Sequence, residues 1–199
     1  APGEKDNEHI GAALYKFNKY SYDVQVFSGI FRSDYVAGFG FAGNLGTAGL
    51  KGEGSYFINR DKLLDTTDVF TFTTSLDYSF RNGLYLMGSI LYNSNGLMNL
   101  NNLPSTSSLS GGDFSAKNLM ITRYSGFAQI SYPVTPLFSP SLATIYGYGA
   151  NILFLMPGLQ YSIASNWDLN LIGQLYFIEN PKGFSNVFNG IFLRTKWSF

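Results

Sequence analysis

The chain has 199 residues, with 13 Lys and Arg balanced by 13 Asp and Glu, so its formal net charge is zero and nothing draws it to nucleic acid or an anionic membrane surface. It has no cysteine, which excludes a disulfide scaffold, a thiolate zinc site and thioether-linked haem within this sequence. Charged residues make up only 13%, about half the usual share, whereas aromatics reach 17% and glycines number 22.

Residues 1–8 are polar. The next stretch, His9 to Phe17, reads either as part of an N-terminal arm or as an additional strand with Gly11, Ala13, Tyr15 and Phe17 on one face. From there to the end, amphipathic segments follow one another at 22–31, 34–45, 49–59, 68–80, 84–93, 121–133, 137–148, 151–163, 167–178 and 188–199. Most match or exceed the ~9–11 residues of a strand that crosses a bilayer at a tilt, and they outrun the ~5–6 residues usual in soluble sheets. The segment 68–80 shows the pattern well. Phe70, Phe72, Thr74, Leu76, Tyr78 and Phe80 fall on one face, and Val69, Thr71, Thr73, Ser75, Asp77 and Ser79 on the other. In 151–163 both faces are apolar, and Pro157 cannot donate to a ladder, so a bulge is expected there.

The connections sort by side. Those on the side of the C-terminus are short, at 46–48, 81–83, 134–136 and Ser165-Asn166. The opposite side has longer polar connections at 60–67, 94–120 and 179–186, with tight ones at 32–34 and 148–150. No run reaches the roughly 18 apolar residues of a membrane helix, and the best candidate, 152–159, contains Pro157. No basic-then-apolar leader stands at Ala1, so an exported chain would be numbered from after a cleavage site or from an internal position.

The final stretch carries the most information. Back from Phe199, the alternate residues Trp197, Thr195, Leu193 and Ile191 are apolar or lipid-tolerant, while Ser198, Lys196 and Arg194 are polar. A closing strand that ends on an aromatic resembles that of bacterial outer-membrane β-barrels, and the Trp197/Phe199 pair carries the likeness as an assembly signal. Arg194 and Phe192 stand where that family usually has a glycine and a polar residue. The resemblance implies an all-β fold: an antiparallel up-and-down transmembrane β-barrel of about 10–12 strands over residues 21–199, with 1–20 as arm or extra strand. It equally implies the C-terminal part of a larger porin-like barrel. Outer-membrane lipid, the barrel assembly machinery, and a second copy or a partner chain completing the barrel are the implied partners. Tyr22, Tyr35, Phe80, Tyr92, Tyr132, Trp167, Phe177 and Trp197 would then form interfacial girdles.

Function would lie on the polar face. Asp23, Gln25, Lys51, Glu53, Asp77, Arg123, Gln129, Asp168, Asn170, Gln174, Arg194 and Lys196 are the expected pore-lining residues. Arg194 and Lys196, with Arg123, would favour anions, unless opposite charges pair and plug a narrow interior. Gly38 and Gly40 would leave space in the lumen, whereas Gly52 and Gly54 would be covered by aromatics on the outward face. His9 is the sole histidine and has no catalytic partner beyond Asp6 and Glu8, and Asp61, Asp65 and Asp68 lack the spacing of a calcium loop. No enzymatic role, metal or cofactor is expected. The implied function is a Gram-negative outer-membrane porin-like channel for passive transport of ions or small polar solutes; the alternative is a non-conducting barrel that anchors surface loops or sheathes a partner.

Overall fold

The computed structural model describes residues 10–32, 34–59, 68–99, 120–181 and 183–198. Among them, eleven strands form one antiparallel sheet whose spatial order is the chain order. They are β1 (Ile10–Lys19), β2 (Tyr22–Phe31), β3 (Asp34–Leu45), β4 (Ala48–Asn59), β5 (Val69–Ser79), β6 (Tyr85–Asn93), β7 (Tyr124–Ser131), β8 (Phe138–Tyr148), β9 (Ile152–Ala164), β10 (Trp167–Asn180) and β11 (Gly183–Trp197). No helix occurs among the described residues. The end of the sheet holding the turns at residues 20–21, 46–47 and 165–166 is called the near end below, and the opposite one the far end.

Closure is where the structure departs from the expected barrel. β1 and β11 are the two edges of the sheet, and no pairing joins them among the described residues. With an odd strand number both edges run from the far end to the near end. They cannot meet as the antiparallel neighbours that every other strand has.

Turn chemistry explains the tight connections. Tyr20 and Ser21 have φ of 52° and 63°, the left-handed pair that a two-residue hairpin requires. Among the described residues of 179–186, expected as a long loop, all but Pro181 are instead strand. β10 runs to Asn180, β11 starts at Gly183, and that glycine takes φ 108°, so a tight hairpin replaces the loop. Asn180 Nδ2 donates to Ser185 Oγ across it at 2.7 Å. The segment 121–133 is correspondingly shorter than expected, since β7 begins only at Tyr124.

The bulge expected at Pro157 is absent. Pro157 pairs with Leu142 in unbroken register on β8, and toward β10 it stands beside Gly173, where an added Cβ would lie 3.0 Å from the proline ring. A glycine neighbour makes the room that a bulge would otherwise have to create. The register shifts fall elsewhere, at Trp167/Asp168 and at Tyr176/Phe177.

Glycines and aromatics pack as complementary pairs across neighbouring strands. A Cβ on Gly52 would come 2.6 Å from the Phe41 ring and one on Gly54 2.7 Å from the Phe39 ring, so both glycines lie under rings. The opposite face behaves the same way, contrary to the expected open space. Phe27 lies on Gly38, and the Gln25 side chain comes within 2.8 Å of a Cβ placed on Gly40. Gly88, by contrast, has nothing near a would-be Cβ. Gly38→Ala therefore collides with the Phe27 ring and with the Gly54 carbonyl oxygen, and should cost about 1–3 kcal/mol. Gly88→Ala should change stability by less than about 0.5 kcal/mol. Denaturant unfolding of the two variants in one detergent checks the contrast.

Candidate functional site

Strand register assembles the polar residues onto one face. Lys16 is opposite Gln25, Gln25 opposite Gly40, Gly40 opposite Glu53, and Glu53 opposite Thr73. One row nearer the turns, Asn18, Asp23, Ala42, Lys51, Ser75 and Ser89 follow in the same way. Asp77 continues through Met87 to Gln129, and at the other edge Asp168 faces Lys196 and Asn170 faces Arg194. All of these lie in the near half of the sheet or at its middle. Gln174, opposite Gly190, lies farther along, and Arg123 precedes β7 at the far end.

A cavity of about 700 Å³ lies over this face between β1 and β5, lined by Lys16, Asn18, Asp23, Gln25, Lys51 and Glu53 among others. Its polar groups partly satisfy one another. Lys51 Nζ stands 3.7 Å from Asp77 Oδ1, and Asn18 Nδ2 donates to Asp23 Oδ1 at 2.9 Å. The lysine is 62% exposed, so the pair holds position weakly and is worth well under about 1 kcal/mol. Farther round, Ser162 Oγ donates to Asp168 Oδ1 at 2.7 Å.

The far half of the same face is apolar, which the sequence reading missed. Phe27, Phe31, Phe57 and Leu91 line a second cavity of about 350 Å³ that shares Glu53 and Thr73 with the first. Phe127, Ile145, Phe154 and Tyr176 continue the band from β7 to β10, the last two with ring centroids 6.1 Å apart. The signal was present in residues 151–163, where both faces are apolar.

The long connection between β6 and β7 turns onto this face at its base. Leu97 bridges Thr122 in parallel, with Leu97 N–H donating to the Ile121 carbonyl at 2.8 Å and Arg123 N–H to the Leu97 carbonyl at 3.0 Å. The Thr122 hydroxyl meets Ser125 Oγ at 2.7 Å and lies over Gly147, where a Cβ would come within 2.7 Å of it. Ser125 and Gly147 are register partners on the polar face, so Thr122 lies above that face. On the neighbouring turn, Gly149 lies against the Met98 carbonyl, and Asn151 Nδ2 donates to the Glu179 carboxylate.

The reverse face is apolar from end to end, and nothing among the described residues covers it. At the near end it carries Tyr22, Phe80, Tyr132, Phe138, Tyr161, Trp167 and Trp197; at the far end it carries Tyr35, Tyr56, Phe70, Tyr92, Tyr124, Tyr148 and Phe177. Trp167 stacks on Trp197 with centroids 6.0 Å apart, and Tyr92 links Phe70 to Tyr124 at 6.1 and 5.3 Å. Between the two rows lie aliphatic side chains such as Ile90, 64% exposed, and Leu193, 65% exposed.

His9, Asp61, Asp65 and Phe199 lie outside the described residues. Asp68 is described and acts locally: its carboxylate accepts from the Tyr56 hydroxyl at 2.9 Å and from the Asn59 N–H at 3.3 Å. Among the described residues no three His, Cys, Asp or Glu side chains gather as a metal site would require. No protein-family model matches the chain, and no curated protein matches it.

The inward-turned stem generates a specific expectation. Thr122→Ala removes its hydrogen bond to Ser125, at a cost of about 1 kcal/mol, and Gly147→Val drives Thr122 off the face. Hydrogen exchange at the Leu97 and Arg123 amides should quicken roughly fivefold in Thr122→Ala and more in Gly147→Val. Exchange along β3 and β4 should stay unchanged.

Proposed function

We propose that the chain forms the wall of an outer-membrane pore, through which ions or small polar solutes diffuse passively along the polar face. One observation carries this reading. A sheet of eleven long strands exposes a continuous apolar face, bounded at both ends by rows of aromatics, while its charged residues gather on the other side. Contiguous apolar patches beyond a few hundred Å² are rare on proteins that face water. An aliphatic band between two aromatic rows suits a hydrocarbon layer between two interfaces. In that setting the near-end residues Asp23, Lys51, Glu53, Asp77, Asp168, Arg194 and Lys196 line the aqueous path, and mixed signs give it weak ion selectivity. Bacterial outer membranes are the setting that the terminal strand resembles.

A second reading has an observation of its own. The apolar band through Phe27, Phe57, Phe127 and Phe154, with the loop stem turned over the same face, favours a non-conducting barrel that serves as scaffold or sheath. Single-channel recording in planar bilayers separates the two. Discrete ohmic steps are expected for the pore. Arg194→Glu combined with Lys196→Glu should then shift the reversal potential in a salt gradient toward cations. Protein that is inserted and folded by its heat-modifiable gel mobility, yet passes no current, leaves only the scaffold.

A further inference from the structure

We infer that the polar face carries a binding site for an organic cation with an apolar body, an aliphatic or aromatic amine, held between Glu53 and the phenylalanines beyond it. The inference names a solute class for the face that the pore reading makes aqueous, and so rests on that reading; its test needs no current.

The site lies where the two cavities join. Glu53 and Thr73 line both the larger, polar one of about 700 Å³ and the smaller, apolar one of about 350 Å³. Small-molecule sites are largely apolar hollows of roughly 300–1,000 Å³ in which a few polar groups fix orientation. Among the described residues, Glu53 is the one charged side chain that lines the smaller cavity. Register explains the arrangement. Glu53, Ser55 and Phe57 alternate along one face of β4, so each stands roughly 7 Å from the next. Ser55 is opposite Gly38, and the Phe27 ring lies over that glycine, one row beyond the carboxylate. Phe31 meets the buried Phe57 edge to face, with ring centroids 6.3 Å apart. On Glu53's own row, Gly40 offers no side chain and Gln25 reaches over it. A carboxylate therefore stands at the mouth of a hollow walled by aromatic rings.

Charge sets the sign of the ligand. Among the described residues Glu53 makes no ion pair, whereas Lys51, two residues away on the same face, has Asp77 at 3.7 Å. Lys16 is on Glu53's row but three strands away, on β1, and it lines only the polar cavity. An ammonium at Glu53 gains a charge-assisted hydrogen bond. Its apolar body then leaves water for the phenylalanine-lined hollow, where ring faces also attract the cation. A carboxylate in the same place would meet Glu53 with like charge.

The test titrates the full chain in phosphatidylcholine nanodiscs with 2-phenylethylammonium by calorimetry, with empty nanodiscs as the blank. Expected is saturable binding, roughly tenfold or more tighter than that of ethylammonium, which lacks the ring. Glu53→Gln alters an exposed side chain; it should weaken 2-phenylethylammonium roughly fivefold and leave neutral 2-phenylethanol unchanged. Because the sequence has no cysteine, Ser55→Cys locates the ligand: bound 2-phenylethylammonium should slow its alkylation by iodoacetamide. Absence of saturable binding overturns the proposal, as does alkylation at an undiminished rate in saturated protein. Equal affinity in Glu53→Gln overturns the role of the carboxylate, and tighter binding of 3-phenylpropionate overturns the sign in favour of Lys16. Binding by a protein that passes no current sinks the pore reading and leaves this one standing; current without binding does the reverse.

Discussion

The period of two along an antiparallel ladder is the constraint on which everything else here depends. A slip of one residue between any two strands would exchange faces for the whole strand, sending Lys51 and Glu53 among the aliphatics and Phe39 and Phe41 among the charges. The register holds across ten successive pairings, with shifts only near the ends of β10. Each face is thereby continuous over the sheet. No second layer of structure is needed to define an inside, because the alternation defines it strand by strand.

Local sequence was informative wherever the two faces differ in chemistry. Residues 22–31 and 34–45 coincide with β2 and β3, since alternation and turn residues agree there. It failed where alternation is missing or where local signals conflict. The Asn-Pro-Lys-Gly run at 180–183 reads as a loop, yet Gly183 closes a hairpin inside what becomes the longest strand pair. Pro157 reads as a ladder breaker, yet Gly173 on the next strand accommodates its ring, and only cross-strand register reveals that neighbour. The polar residues proposed as a lining share one face because face assignment needs only parity. What parity could not supply was their distribution along the strands, which depends on where each strand starts and stops. The apolar far half of that face was hidden for this reason.

That division of the polar face has consequences of its own. The charges of both signs in the near half sit where side chains reach water easily, so little desolvation accompanies them, and the exposed Lys51–Asp77 pair is loosely held. The far half is lined by aromatic and aliphatic side chains, with Phe57 and Val69 among the buried residues. Thr122, bridged to Leu97, lies over that end of the face. Charged side chains and apolar ones thus occupy different halves of the same face.

The unpaired edges follow from the same alternation. Each strand added to a meander reverses direction, so an odd count leaves both edges pointing the same way whatever the side chains are. Backbone geometry thus poses the closure problem: edges that run the same way cannot pair as the ten antiparallel neighbours within the sheet do.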